Sequence, residues 1–351
     1  MSITVSRRAA RRHAQLRLWT VTVAAVAAQV VGFDAAVAQE PAVDLVGAVT
    51  FEAPSGQLRR IEVTVGDGGT GPYPAVLAGD TSLATHTLYR PRDLTPFGGA
   101  NRLPIVAWAN GACRNNSGEY RNFLSEIASH GFLVVAIGPA AHSLVLGSGA
   151  PGGGTQATQL IDGVDWAIAQ NSREGGEYQG KIDTGRIALM GHSCGGAQAL
   201  DVSKDPRVST TVLWNSGVLR TPRAAPTPPP APAGGAAPAA PSSMSAMTKE
   251  RLRELHGPVA YILGGESDIA YANGLDDFNR IDHVPVLFAS MDVGHYPATF
   301  RQPNGGAYGV AAVSWLKWQL KGDAAAARAF VGSDCGLCAD PAWTVQSRNL
   351  R

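Results

Sequence analysis

The sequence predicts an α/β protein built on a mostly parallel, twisted sheet with helices on both faces. Three observations carry that expectation. From residue 103 onward, short apolar runs alternate with longer segments that have apolar residues at helical spacing. The runs (PIVAWA, FLVVAI, IALM, VAYIL) are apolar throughout rather than alternating, as strands covered on both faces must be. Glycines stand where helices should stop and where strands should turn into helices.

Residues 43–90 read as strand-like runs, 58–65 and 86–89 among them, separated by Gly-rich turns. Residues 104–109 then form a strand, 120–130 an amphipathic helix stopped by Gly131, and 132–137 the next strand. A helix is expected over 155–170. The strand 186–190 flows through Gly191 into a helix beginning near Cys194. Further strands are expected over 210–214, 259–263 and 284–289, and a long final helix over 307–320. Residues 221–242 (TPRAAPTPPPAPAGGAAPAAPS) are low-complexity and cannot bury a core. They are expected to be an expanded loop, with a lid over the site as the alternative. Residues 39–351 are thus expected to be one domain carrying this insertion.

Residues 1–38 read as a signal peptide. Five arginines (7, 8, 11, 12 and 17) precede an apolar run over 18–33, and Ala36-Val37-Ala38 offers a cleavage site. Ser6-Arg7-Arg8 hints at twin-arginine export, although Ala10 stands where a bulky apolar residue is expected. The mature chain would be exported, to a periplasm or beyond. Losing those arginines and Asp34 takes the formal charge from +1 to −3, which gives no electrostatic reason for a nucleic-acid partner. No later segment is long and apolar enough to span a bilayer. The four cysteines allow three pairings, and an exported chain favours disulfides over thiols. Cys335-x-x-Cys338 lacks the strand–helix setting of a redox motif and the further ligands of a zinc site, so a structural bridge is expected there.

The strongest chemical signal is Gly191-His192-Ser193-Cys194-Gly195-Gly196, a G-x-S-x-G between a strand and a helix. A nucleophile must project above the sheet on a strained turn, which requires small neighbours. The helix behind it offers N–H groups and a positive dipole end to a developing oxyanion. A serine hydroxyl needs a base, and in this arrangement the acid and then the histidine follow the serine in the chain. His295, in Asp-Val-Gly-His after the strand 284–289, is the expected base. His283 lies before that strand, His142 is out of order, and the chain direction at His192 should aim its ring elsewhere. Asp268 follows the strand 259–263 and is the expected acid, with Glu266 the alternative. Asp276 and Asp277 suit a solvated helix face, and Asp292 a turn. One oxyanion donor should be the N–H of Cys194, the second that of Ala112 in the loop Asn110-Gly111-Ala112-Cys113. Cys113 and Cys194 then flank the oxyanion hole, where a disulfide between them would clamp both donors. Trp214, at the end of its strand, suits either core packing or the wall of an acyl pocket.

These residues together resemble the α/β-hydrolase superfamily, and more narrowly the branch of dienelactone-hydrolase-like proteins and bacterial cutinase-like polyester hydrolases. The similarity runs over residues 103–320 and rests on the elbow at Ser193, Gly-Gly-x-x-Asp-x-Ala at Asp268, Gly-His at His295 and Trp214. Where cutinase-like enzymes usually carry Met after the nucleophile and an aromatic in the oxyanion loop, this chain has Cys194 and Ala112. The resemblance implies a serine esterase with Ala112 and Cys194 as its backbone donors. The residues' own chemistry suggests acyl transfer from a small or polymeric ester through an acyl-enzyme, calling for no cofactor and no metal. An amidase or peptidase, or a non-catalytic binding protein on the same fold, are the alternatives.

Overall fold

The computed structural model describes residues 45–51, 58–145, 154–219, 247–296 and 298–351. The expected signal peptide (1–38) and the Pro/Ala-rich insertion (221–242) lie outside the described residues. Among the described residues, eleven strands form one sheet in the order β1-β2-β3-β4-β6-β5-β7-β8-β9-β10-β11. Its body is parallel: β6 (Leu133–Ile137), β5 (Leu103–Ala109), β7 (Ile182–His192), β8 (Val208–Trp214), β9 (Val259–Leu263) and β10 (Val286–Met291). Antiparallel strands close both sides. β1 (Leu45–Phe51), β2 (Leu58–Val65), β3 (Ala75–Ala78) and β4 (His86–Pro91) meander up to β6, while β11 (Trp343–Arg348) pairs with β10.

Strand β5 shows why these runs are apolar on both sides. Val106 and Trp108 enter the core on one face, with Phe123, Leu124 and Ile127 of α1 (Arg121–Ser129). Ile105, Ala107 and Ala109 enter the core on the other. There they meet Leu160, Val164 and Ala167 of a helix over Thr158–Ser172. This helix is numbered α3, after α2 (Ala140–Ser143). Next on that face come α4 (Cys194–Val202) and α5 (Tyr271–Arg280). The long helix α6 (Gly306–Lys321) returns to the α1 face through Ala311, Ala312, Trp315 and Leu316. Gly322, in the left-handed region at φ 67°, terminates it by donating to the Lys317 and Trp318 carbonyls.

Boundaries differ from the sequence reading in places with physical causes. The helix expected from residue 155 starts at Thr158, because the Thr155 N–H and hydroxyl are spent on the Cys113 carbonyl. The strand expected from 284 starts at Val286, past Pro285, which has no N–H for the ladder. The helix over 307–320 is not the last element. Two short turns of helix, α7 (Ala324–Ala327) and α8 (Gly336–Ala339), lead from it into edge strand β11. Asp277, expected on a solvated face, is fully buried in α5, where it accepts from the Val218 N–H and from Lys249 Nζ.

Candidate active site

The parallel strands all deliver their C-terminal ends to one edge of the sheet, where ligands bind in open α/β sheets. Ser193 follows β7, the oxyanion loop follows β5, Asn215 follows β8, Asp268 follows β9 and His295 follows β10. Residues separated by up to 183 positions thereby meet in one cluster.

Ser193 sits at φ 52° and ψ −117°, a conformation non-glycine residues rarely take and that costs on the order of 1–3 kcal/mol. Its surroundings hold it there. The Ser193 N–H donates to the Trp214 carbonyl (2.9 Å), and the Ser193 carbonyl accepts from Ser216 Oγ (2.7 Å) and the Ala197 N–H (3.1 Å). The glycines of the motif are needed for close approach. A Cβ at Gly191 would collide with the Gly195 carbonyl, and one at Gly195 with the Ala109 carbonyl. The turn thus lies directly on β5 and leaves the Ser193 side chain half-exposed.

Ser193 Oγ lies 2.9 Å from His295 Nε2, and His295 Nδ1 lies 2.6 Å from Asp268 Oδ1. Asp268 is nearly solvent-free, at 3% exposure. Burial pushes its carboxyl up, but four donors more than offset this and hold it below the ordinary carboxylate value. They are His295 Nδ1, the N–H groups of Ala270 (2.8 Å) and Gly264 (3.0 Å), and Asn215 Nδ2 (2.9 Å). A carboxylate so held fixes the imidazole tautomer, leaving Nε2 as acceptor toward Ser193. Glu266 is exposed and makes none of these contacts. Asp292, expected at a turn, instead accepts from Ser267 Oγ (3.1 Å) and so ties the loop after β10 to the loop after β9.

The oxyanion loop is held at several points. Ala112 and Cys113 are both left-handed, at φ 53° and 50°. The Gly111 N–H donates to Tyr120 Oη (3.0 Å), and the Cys113 carbonyl accepts from the Thr155 N–H (3.0 Å) and Oγ1 (3.1 Å). Cys113 is joined to Cys194 by a disulfide with its Cα atoms 5.2 Å apart, and Cys335 to Cys338 by another at 4.9 Å. Ala112 is exposed beside Ser193, and neither its N–H nor that of Cys194 has an acceptor among the described residues.

Trp214 is in the core rather than at the surface. It has no exposed area and packs against Phe123 and Tyr308, each with ring centroids 5.0 Å away. No face of it is open to a ligand, which corrects the acyl-wall alternative. The open apolar side chains at the site are Ile269 (76% exposed) and Tyr296 (69%), beside the acid and the base. Sequence reasoning passed over Asn215, which needs only its place at the end of the strand next to β7 to be suspected. It also sets aside His192, whose ring is buried with Nε2 2.8 Å from the His295 carbonyl. Among the described residues, no group of three or more His, Cys, Asp or Glu could hold a metal ion, and no helix is long and apolar enough to cross a membrane.

No curated protein matches the chain. The family model described as PETase, PET hydrolase-like, matches residues 101–216, which include the oxyanion loop, the elbow and Asn215 but not Asp268 or His295. That match, on an α/β sheet whose strand ends gather a serine, a histidine and an aspartate, supports the cutinase-like polyester-hydrolase branch of the α/β-hydrolase fold for this chain.

Proposed function

We propose that this protein is a secreted serine esterase that cleaves carboxylic esters, polymeric ones included, through an acyl-enzyme on Ser193. The observation that carries the reading is the hydrogen-bonded line from Ser193 Oγ through His295 to Asp268, at 2.9 and 2.6 Å. In the proposed reaction His295 Nε2 takes the proton of Ser193 as Oγ attacks the ester carbonyl carbon. The carbonyl oxygen gains the negative charge and is held by the N–H groups of Ala112 and Cys194. His295 then gives its proton to the departing alkoxide as the C–O bond breaks. Water repeats the cycle on the acyl-enzyme, returning the acid product and free Ser193. Asp268 stays ionised throughout and steadies the imidazolium.

Polymeric ester substrates fit the family match, and Ile269 and Tyr296 offer exposed apolar area beside Asp268 and His295. Two disulfides fit an oxidising compartment and support export, with cleavage after Ala38. The test is turnover of a p-nitrophenyl ester series and of a polyester film by the mature chain, 39–351, beside Ser193→Ala. Hydrolysis that the substitution abolishes supports the reading. Amide turnover exceeding ester turnover would favour an amidase, and an inert, unlabelled wild type a binding protein.

A further inference from the structure

His192 and Tyr120 are buried together beneath the site, at 1% and 6% exposure, and the hydrolytic steps above use neither. Tyr120 Oη lies 2.9 Å from His192 Nδ1 and 3.0 Å from the Gly111 nitrogen, and His192 Nε2 lies 2.8 Å from the His295 carbonyl. The proton positions along this line follow from chemistry. The His295 carbonyl can only accept, so His192 carries its proton on Nε2. Burial holds the ring's pKa down, at about 4, so near neutral pH Nδ1 is bare and accepts from the Tyr120 hydroxyl. The Tyr120 oxygen in turn accepts from the Gly111 N–H. Every donor then has one acceptor, running from Gly111 through Tyr120 and His192 to His295. Phe300 packs edge-on against both rings, at 5.2 and 5.3 Å between centroids, and restricts their rotation. Gly111 has no room for a side chain, since a Cβ there would collide with His192 Nδ1 and press on Tyr120 Oη.

The two ends of this line are the residue next to Ala112 and the backbone of the catalytic base. We infer that Tyr120 and His192 are positioning residues that tie the oxyanion loop and the His295 loop into one frame. The inference rests on the serine-hydrolase reading of Ser193. Donor and base must both be placed against one carbonyl group in the transition state, where a misplacement of about 1 Å can cost 100-fold in rate. A direct bond between the two loops is absent among the described residues, so the pair supplies their common reference.

Three variants separate this from a role in folding alone. Tyr120→Phe keeps the packed ring and removes the hydroxyl. His192→Gln keeps an N–H near the position of Nε2, whereas His192→Asn keeps an acceptor near Nδ1 and nothing that reaches the His295 carbonyl. With p-nitrophenyl butyrate, Tyr120→Phe and His192→Asn are expected to lower kcat by roughly tenfold or more while KM stays within about twofold. His192→Gln should recover much of the loss, and the double variant Tyr120→Phe/His192→Asn should be no worse than the poorer single one. Nitrogen-15 NMR of labelled histidine should find His192 in the Nε2–H form at pH 7. An active wild type beside equally active variants, or an Nδ1–H tautomer, overturns the positioning role alone. A wild type that neither turns over ester nor labels with a fluorophosphonate overturns the hydrolase reading, and the positioning role with it. Should Tyr120→Phe not fold, the Gln/Asn pair and the tautomer still decide.

Discussion

Asn215 donates one side-chain N–H to Asp268 Oδ2 at 2.9 Å and the other to the Gly294 carbonyl at 3.0 Å. One amide thus holds both the acid that orients His295 and the residue immediately before His295. Asn215 itself stands at φ 46°, just past the end of β8, with its N–H on the Ile262 carbonyl. Its side chain is the one contact to Asp268 Oδ2 that a substitution can remove without touching the backbone.

Asn215→Ala should therefore lower kcat more than it changes KM. Leaving one buried carboxylate oxygen a donor short costs about 1–3 kcal/mol, and a comparable loss in the transition state is roughly tenfold or more in rate. Steady-state kinetics with a short p-nitrophenyl ester reads this. A rise in KM at constant kcat would mean that Asn215 serves binding instead.

The Cys113–Cys194 bridge closes a separation of 81 residues and adjoins both proposed oxyanion donors. Cys113→Ala/Cys194→Ala should lose both stability, by about 2–4 kcal/mol, and kcat. Without the bridge, Ala112 and Cys113 are free to leave the left-handed region. A thiol titration of denatured, unreduced protein should find none, since all four cysteines are paired. Two free thiols, or a double variant with unchanged kcat, would contradict the clamp.

The stability of the fold should depend on pH through His192. Burial holds this ring at about 4 in the native protein, against about 6.5 when unfolded. Between those values the unfolded chain binds a proton that the native one refuses, so stability falls as pH drops through that window, by on the order of 2 kcal/mol at pH 5. Asp277 acts in the opposite sense. Burial raises its carboxyl to about 6 despite Lys249, so its contribution weakens as pH rises from about 4 to 6. The two slopes oppose one another, and His192→Gln separates them. Urea midpoints at pH 5 and 7 should differ less favourably toward pH 7 in the variant than in wild type. Equal differences would mean that His192 is not held neutral.

Gly195→Ala tests the contact between the elbow and β5. A methyl group there must displace the Ala109 carbonyl, which belongs to a fully buried strand. Overpacking of this kind costs about 1–3 kcal/mol or more, and here it also shifts Ser193. Thermal denaturation and fluorophosphonate labelling should both suffer. Normal labelling would show that the turn can move without loss.

The parts of this site that were legible in the sequence are those fixed by chain order. Strands buried on both faces appear as unbroken apolar runs, and loops at their C-terminal ends must face one edge. Asp268 and His295 are legible on that ground and Ser193 from its G-x-S-x-G between a strand and a helix, and the described geometry brings the three together. Residues whose importance lies in a partner far along the chain were not legible. Tyr120 looks like the first residue of an amphipathic helix until His192, 72 positions away, is seen beside its hydroxyl. Trp214, at the end of its strand, suits core packing or a pocket wall equally until its contacts with Phe123 and Tyr308, both far along the chain, are seen. Strand β11, WTVQSR, is a partly exposed edge that carries no apolar run to mark it.

The proposed reaction stands on Ser193 as the nucleophile of an ester hydrolase. Its most direct test is the turnover of a short-to-long p-nitrophenyl ester series by the mature chain beside Ser193→Ala. With Ser193 as nucleophile, the wild type turns over the series and the variant loses that turnover, both proteins being equally folded. Equal turnover by the two would contradict it and place the nucleophile elsewhere.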